Sequence, residues 1–230
     1  TNADSVRMYK NGHFIKEYKP ADSSFDGIPH GPILVDDFVG DMLETEEGFS
    51  KKQSEMIAGA LNYLGVHGYQ SFPPHIIWTV AKAIILYKMN PMDMVKLYTK
   101  YIGNWGEIAT TYRFEAIKNG EVAKVIVREP MRKPQLSVKV SHTNLHEGNT
   151  YDVASIRIRA VDENGNILPF YQEPLKVEVE GPVAIIGSDV LSLKGGMGGL
   201  YIKTIGEKGS AKLRLLNPQL ETIEVKFEIQ

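Results

Sequence analysis

Eight acidic side chains (Asp22, Asp26, Asp36, Asp37, Asp41, Glu44, Glu46 and Glu47) crowd residues 21–50, which hold no Lys or Arg. Such density suggests two kinds of chemistry. One is a cation held by carboxylate oxygens. The other is the acid and nucleophile of a retaining glycosidase, whose carboxyls stand about 5 Å apart. Catalysis needs the groups held in fixed geometry, and nothing in this stretch has the pattern of a rigid strand end. The plainer reading is a solvated acidic connection facing the Lys-bearing helices downstream, with Lys82, Lys88, Lys96 and Lys100 as its counter-charges. Further along, Asp162, Asn164, Asn166 and Glu173 imitate an EF-hand loop. The sharp turn of that loop needs Gly at its sixth position. Here Ile167 stands there, Gly165 is misplaced and the flanks read as strands, so the segment is expected to be a hairpin turn.

Other motifs carry less chemistry. Residues 195–199 (GGMGG) are Gly-rich, but no strand-to-helix transition follows to offer backbone amides to a phosphate. A bulge or a close backbone approach is expected instead. The six histidines (His13, His30, His67, His75, His142 and His146) show no HxH or HExxH spacing. His142 and His146 lie four apart, as on a helix face, but in a segment that reads as strand and turn. No metal site or cofactor site is therefore expected. No Ser sits in a GxSxG context, so a hydrolase triad has no anchor. Sugars stack their C–H faces on aromatic rings, which makes Trp78, Trp105, Tyr69 and Phe72 the candidate ligand or interface residues. Trp78 also lies one residue off the main apolar stripe of its helix, where it could serve as core or as packing between insertion and sheet. Trp105, just after Gly103-Asn104, is better placed for exposure.

The elements that must position these residues follow from pattern. At 230 residues, with 43% apolar and 23% charged side chains, the chain suits two ordinary domains, each able to bury a core. A net charge of −2 provides no global field for nucleic acid or an acidic membrane surface, and neither is expected as a partner. There is no cysteine, hence no disulfide and no thiolate nucleophile. That fits a reducing cytoplasm and also a secreted or periplasmic protein. The sequence opens without Met or signal peptide and runs straight into a strand pattern, as expected of a chain cut from something longer.

Strands at 5–9 and 13–18 flank Asn11-Gly12, and strands at 112–118 and 122–128 flank Asn119-Gly120. Asn-Gly supplies the two positive φ angles of a type I′ turn. The two hairpins read as halves of one sandwich interrupted by an insertion, with residues 32–36 (PILVD) as a further strand. Between about 51 and 103 the apolar period becomes helical: Met56, Ile57, Ala60, Leu61 and Leu64 first, then Ile76, Ile77, Val80, Ala83, Ile84 and Tyr87 after Pro73-Pro74. Asn90-Pro91 with Asp93 predicts the N-terminus of a third helix running to about Ile102. The run from Ile76 to Met89, broken by Lys82 and Lys88, is too short to span a bilayer and is expected to be a buried core helix. Because it is apolar around most of its circumference, it is also expected to leave an apolar patch or to bury one in a dimer. Residues 130–134 (PMRKP) form the expected linker. The resulting domains are 1–133, an immunoglobulin-like sandwich with the helical insertion, and 134–230, a second such sandwich. The class is mainly β with an α insertion.

The second sandwich is the most informative stretch. In VASIRIRAVDENGNILPFYQEPLKVEVEGPVAIIG, starting at Val153, Ile156, Ile158 and Ala160 alternate with Arg157 and Arg159, and Gly, Asn or Pro interrupts every ten or so residues. With LSLKGGMGGLYIKTIGEKGSAKLRL, these words resemble the immunoglobulin-like domain near the C-terminus of family 2 glycoside hydrolases of the β-galactosidase type. The opening NADSVRMYKNGHFIKEY resembles the start of the sandwich that follows the catalytic barrel in the same enzymes. The resemblance implies a retaining glycosidase whose acid/base and nucleophile are two glutamates on a (β/α)8 barrel. No part of this chain matches a barrel strand, so no catalytic residue is carried over. Three readings follow. The chain is a non-catalytic scaffold whose partner is the catalytic barrel of the parent, or a free-standing tandem sandwich that binds carbohydrate or a cell surface, or an enzyme complete in itself. The helical block is a departure from the simplest sandwich, suited to contact the barrel, the substrate entrance or a second copy in a homo-oligomer.

Overall fold

The structure is a computed structural model that describes residues 2–20, 31–68, 72–103 and 109–230. It is mainly β and divides into two compact units, Thr1–Pro130 and Met131–Gln230.

In the first unit, β1 (Ser5–Lys10) and β2 (His13–Tyr18) are joined by Asn11 at φ 48° and Gly12 at φ 84°. The helical insertion follows: α1 (Met42–Thr45), α2 (Lys51–His67), α3 (Pro74–Tyr87), α4 (Pro91–Tyr98) and a π-helical turn, Thr99–Gly103. The chain then returns through β3 (Tyr112–Lys118) and β4 (Glu121–Arg128), where Asn119 and Gly120 repeat the turn at φ 53° and 82°. The order β2-β1-β3-β4 puts both hairpins in one antiparallel sheet, with Met8 opposite Phe114 and Lys10 opposite Tyr112. The period of two brings Met8, Lys10, Tyr112 and Phe114 to one face. There Met8, Ile15 and Tyr18 bury with Val39 and Leu43 of the connection and with Ile57, Leu61, Leu97 and Tyr101 of the helices. Among the described residues this unit has one sheet, and the helices form the layer opposite it. The segment 32–36 is not a full strand: a single antiparallel bridge ties Ile33 to Pro20.

The helix signals act as the sequence implies. Met92 N–H donates to Asn90 Oδ1 at 3.0 Å, and Asn90 N–H donates to Asp93 Oδ2 at 3.2 Å, a reciprocal cap that satisfies donors otherwise orphaned. The helix before it stops earlier than Asn90, because Lys88 turns left-handed at φ 51°. One expectation is overturned. α3 is not a buried core helix: only Ile76 and Ala83 are buried, while Ile77, Trp78, Ile84, Ile85 and Leu86 are exposed. A helix apolar on all sides has only one side turned to α2, and the other sides keep their hydrocarbon in water.

The second unit is a two-sheet sandwich. Its strands are β5 (Gln135–Val140), β6 (Asn144–Leu145), β7 (Val153–Val161), β8 (Pro174–Glu180), β9 (Val183–Ile186), β10 (Val190–Ser192), β11 (Met197–Thr204), β12 (Gly209–Leu216) and β13 (Ile223–Ile229). They form one sheet ordered β10-β8-β12-β13-β6 and another ordered β5-β7-β11-β9. Ile156, Ile158 and Ala160 of β7 point inward against Leu213, Leu215 and Phe227 of the facing sheet, as the alternation demands. β6 pairs parallel with β13, and Glu147 N–H then donates to the Gln230 carbonyl. This lash holds one end of the sandwich, where the loop into β7 begins.

Candidate functional site

The acidic connection is spent on structure. Asp37 Oδ1 accepts from Val39 N–H at 3.1 Å, Gly40 N–H at 3.0 Å and Asn62 Nδ2 at 2.9 Å, which fastens the connection to α2. The Tyr18 hydroxyl donates to the Asp37 carbonyl. Asp41 lies 2.6 Å from His13 Nε2, and Asp36 lies 3.5 Å from Lys16 Nζ. Glu46 and Glu47 stand 2.9 and 2.7 Å from Lys100 Nζ. Of the four lysines expected to face this stretch, Lys100 does so, whereas Lys96 pairs with Asp93 and Lys82 leans on Trp78. Asp22, Asp26 and His30 lie outside the described residues.

Glu46, Glu47, Lys100, Tyr101 and Lys10 form a cluster of titratable groups. The Tyr101 hydroxyl lies 3.0 Å from Glu46 and 2.8 Å from Glu47, so the two carboxylates share its single proton. Burial, followed by these carboxylates, pushes the Tyr101 phenol above its ordinary range. The hydrogen bonds from Lys100 and Tyr101 hold the Glu47 carboxyl below the usual range. Lys10 is buried under the sheet, donates to the Tyr101 carbonyl, and has the Tyr101 and Tyr112 rings at 5.9 and 5.8 Å. Burial lowers its ammonium to about 8. Every polar group here is turned to another, which locks the π-helical turn onto β1 and the connection. As an acid–base pair it is saturated, since both carboxylates already accept from a cation and a phenol.

The candidate aromatics do not converge within what is described. Trp78 is 62% exposed on α3, with Lys82 Nζ 5.9 Å from its ring. The reading of Trp78 as core is therefore corrected: one residue off the stripe turns a side chain by about 100° on a helix, away from buried Ile76 and Ala83. Phe72 is half-exposed just before α3, and Tyr69 and Trp105 lie outside the described residues.

In the second unit the EF-hand imitation is a turn. Asp162 Oδ1 accepts from Asn164 and Asn166 N–H at 2.9 and 2.8 Å, and its Oδ2 accepts from Asn166 Nδ2 at 2.8 Å. The oxygens that would bind a cation close the hairpin instead. The Gly-rich segment is a close approach: a Cβ on Gly196, at φ 72°, would fall 2.2 Å from the Leu168 carbonyl. His142 Nε2 lies 3.6 Å from Asp152, whose carboxyl is held low chiefly by the His146 N–H. Among the described residues no group of three or more His, Asp or Glu is placed to hold a metal ion. Nor is any helix among them long and apolar enough to cross a membrane.

One concavity was missed by the sequence reading. An open groove of about 550 Å³ lies between the loop into β7 and the turn after β11, with Glu147, Asn149, Tyr151 and Lys203 on its walls. Tyr151 is 58% exposed, and Lys203 Nζ sits 5.1 Å from its ring centroid. The available signal was the run Asn149-Thr150-Tyr151, polar residues and an aromatic in a loop between two strands.

Against known proteins, residues 136–226 match the family described as "Glycoside hydrolase family 2 C-terminal domain 5". The chain is 30% identical over 140 residues to a β-galactosidase sequence from Rhizobium radiobacter, covering 60% of this chain and 99% of that sequence. It is 24% identical over 214 residues to the β-galactosidase of Thermoanaerobacter pseudethanolicus, covering 93% of this chain and 21% of that protein. Among solved structures, a β-glycosidase from Bacteroides vulgatus shares the fold at a TM-score of 0.55 and 13% identity, over 99% of this chain and 21% of that one. The chain thus spans about a fifth of the length of the longer relatives it matches.

Proposed function

The chain belongs to glycoside hydrolase family 2, as a C-terminal region of a β-galactosidase-like protein, and from that premise we propose that it is a non-catalytic scaffold. Its partner is the catalytic portion of a longer parent polypeptide, which hydrolyses terminal β-galactosides or related β-glycosides. The observation that carries this reading is the outward face of α3. Ile77, Trp78, Ile85 and Leu86 are all exposed on this one helix, and apolar surfaces of this kind mark contacts to another body. Trp78 and Phe72 are then interface residues of the parent, and the domains divide at the PMRKP linker, with 1–133 holding the docking layer and 134–230 forming a separate sandwich. The carboxylates support a structural role: each acid of the connection described above as paired is held by a cation, a hydroxyl or a backbone amide. None is left as a proton donor facing a second carboxyl across a substrate-sized gap.

The test is an assay of the 230-residue chain with an aryl β-galactoside. Release of the phenol should stay at the buffer rate. Turnover by the isolated chain, abolished by Glu46→Gln or Glu47→Gln with the fold retained, would assign chemistry to the cluster and reject the scaffold.

A further inference from the structure

The groove of the second unit carries an inference that goes beyond the scaffold role and does not depend on it. Both of its walls are fixed. Asp152 N–H donates to Thr204 Oγ1 at 3.0 Å, and Thr204 N–H donates back to the Asp152 carbonyl at 3.1 Å. Gly206 N–H donates to the Glu147 carboxylate at 3.1 Å. The Thr204 hydroxyl, followed by that Gly206 amide, holds the Glu147 carboxyl below its ordinary range, so it is an anion at neutral pH. The two segments are thus crosslinked across the groove by backbone and by the buried Thr204. Such a site needs little ordering when a ligand arrives.

The lining mixes two surfaces. Tyr151 and Ile205 are exposed hydrocarbon, while Asn149, Thr150, Lys203 and Glu147 offer an amide, a hydroxyl, an ammonium and a carboxylate. A pyranose ring has the complementary pair: an apolar C–H face and a rim of hydroxyls that both donate and accept. The C–H face suits the negative face of an aromatic ring. The volume of about 550 Å³ lies inside the usual range for small-ligand sites, roughly 300–1,000 Å³. Charge selects within the class. Glu147 and Lys203 offset each other, so the groove has no net attraction for an anion and favours a neutral sugar over a uronate. We propose that this groove binds a terminal neutral pyranose of an oligosaccharide, with Tyr151 as its stacking platform and Asn149, Lys203 and Glu147 as partners of the ring hydroxyls.

The test is amide-resolved NMR titration of the whole ¹⁵N-labelled chain with lactose, cellobiose and sodium glucuronate. An open site with one platform should bind one of the disaccharides with a Kd of roughly 1–10 mM. Saturable shifts should be confined to residues 147–151 and 203–206, and glucuronate should bind at least about tenfold more weakly. Tyr151→Ala should weaken the sugar by about tenfold or more while leaving the rest of the spectrum in place, and Tyr151→Phe should retain binding. Three results would each overturn the proposal: no saturable shift with either disaccharide up to about 50 mM, shifts that map to α3 instead, or a Tyr151→Ala variant with unchanged affinity.

Discussion

The two units dispose of their hydrocarbon in opposite ways. In the sandwich, β7 and β12 turn every second residue inward, and the facing sheet covers them: Ile156, Ile158, Leu213 and Leu215 are at or near zero exposure. In the helical layer, α3 presents Trp78 and Ile85 to water at 62% and 71% exposure. A period of two can be fully matched by a second sheet of the same unit. A helix that is apolar all round needs cover on more than one side, and among the described residues its own unit supplies one. The difference teaches that the sandwich covers its core strands within its own unit, whereas the helical layer carries an apolar surface that, on the scaffold reading proposed above, another body covers.

The sharpest way to break this comparison is to truncate one residue from each region. Leu213→Ala should cost about 2–5 kcal/mol in the unfolding of the sandwich, because it removes transfer energy and leaves a cavity. Ile85→Ala should change stability by no more than about 0.5 kcal/mol, since most of the deleted surface faces water. Urea titrations of the two variants give both values, and equal losses would erase the distinction.

A second effect comes from Lys10, a buried cation in the core of the helical unit. Lys10 in the folded state is lowered to about 8 from its ordinary 10.5. Below about 8 it is charged in both states, and its burial cost is then fully present. Between about 8 and 10.5 the folded state gives up the proton first, the unfolded state binds more protons, and stability rises with pH. Relative to Lys10→Met, the native chain should therefore gain stability between about pH 7 and pH 9.5, read as the difference in urea midpoints. A difference independent of pH would mean that Lys10 is solvated and the core of the unit looser than described.

A smaller loss than that of Leu213→Ala is expected at the cap. Asn90→Ala removes the acceptor for Met92 N–H and should cost about 1 kcal/mol, with Asn90→Gly costing only a few tenths. Equal losses for the two would point to the left-handed Lys88 two residues before it rather than to the cap.

Much of the frame was legible because it is written in local rules. Asn11-Gly12 and Asn119-Gly120 announce their own φ angles, Asn90-Pro91 its own helix start, and Ile156 to Ala160 their own burial. The Gly196 approach to Leu168 was legible as a kind of feature though not as a partner. What failed was the step from pattern to surroundings. The periodicity of α3 says that it is apolar, but burial depends on what else is present, and Trp78 was misjudged for that reason. Residues 32–36 have strand composition, yet the Asp37 carboxylate and the Tyr18 hydroxyl recruit the connection to α2 and β2 by side-chain bonds that no period reports. The groove escaped because it joins Tyr151 to Lys203, two loop-flanking residues that only the pairing of β7 with β11 makes neighbours.

The central claim is that the exposed face of α3 is covered by the rest of a parent polypeptide. The chain has no cysteine, so Ile85→Cys installs a single thiol on that face. Its alkylation rate, mapped to its own peptide by mass spectrometry, can be compared between the 230-residue chain and the full-length parent. In dilute isolated chain the thiol should react as an exposed one. In the parent its rate should fall by on the order of tenfold or more, because access limits thiol reactivity. Equal rates in the two would leave α3 uncovered in the parent and contradict the scaffold account.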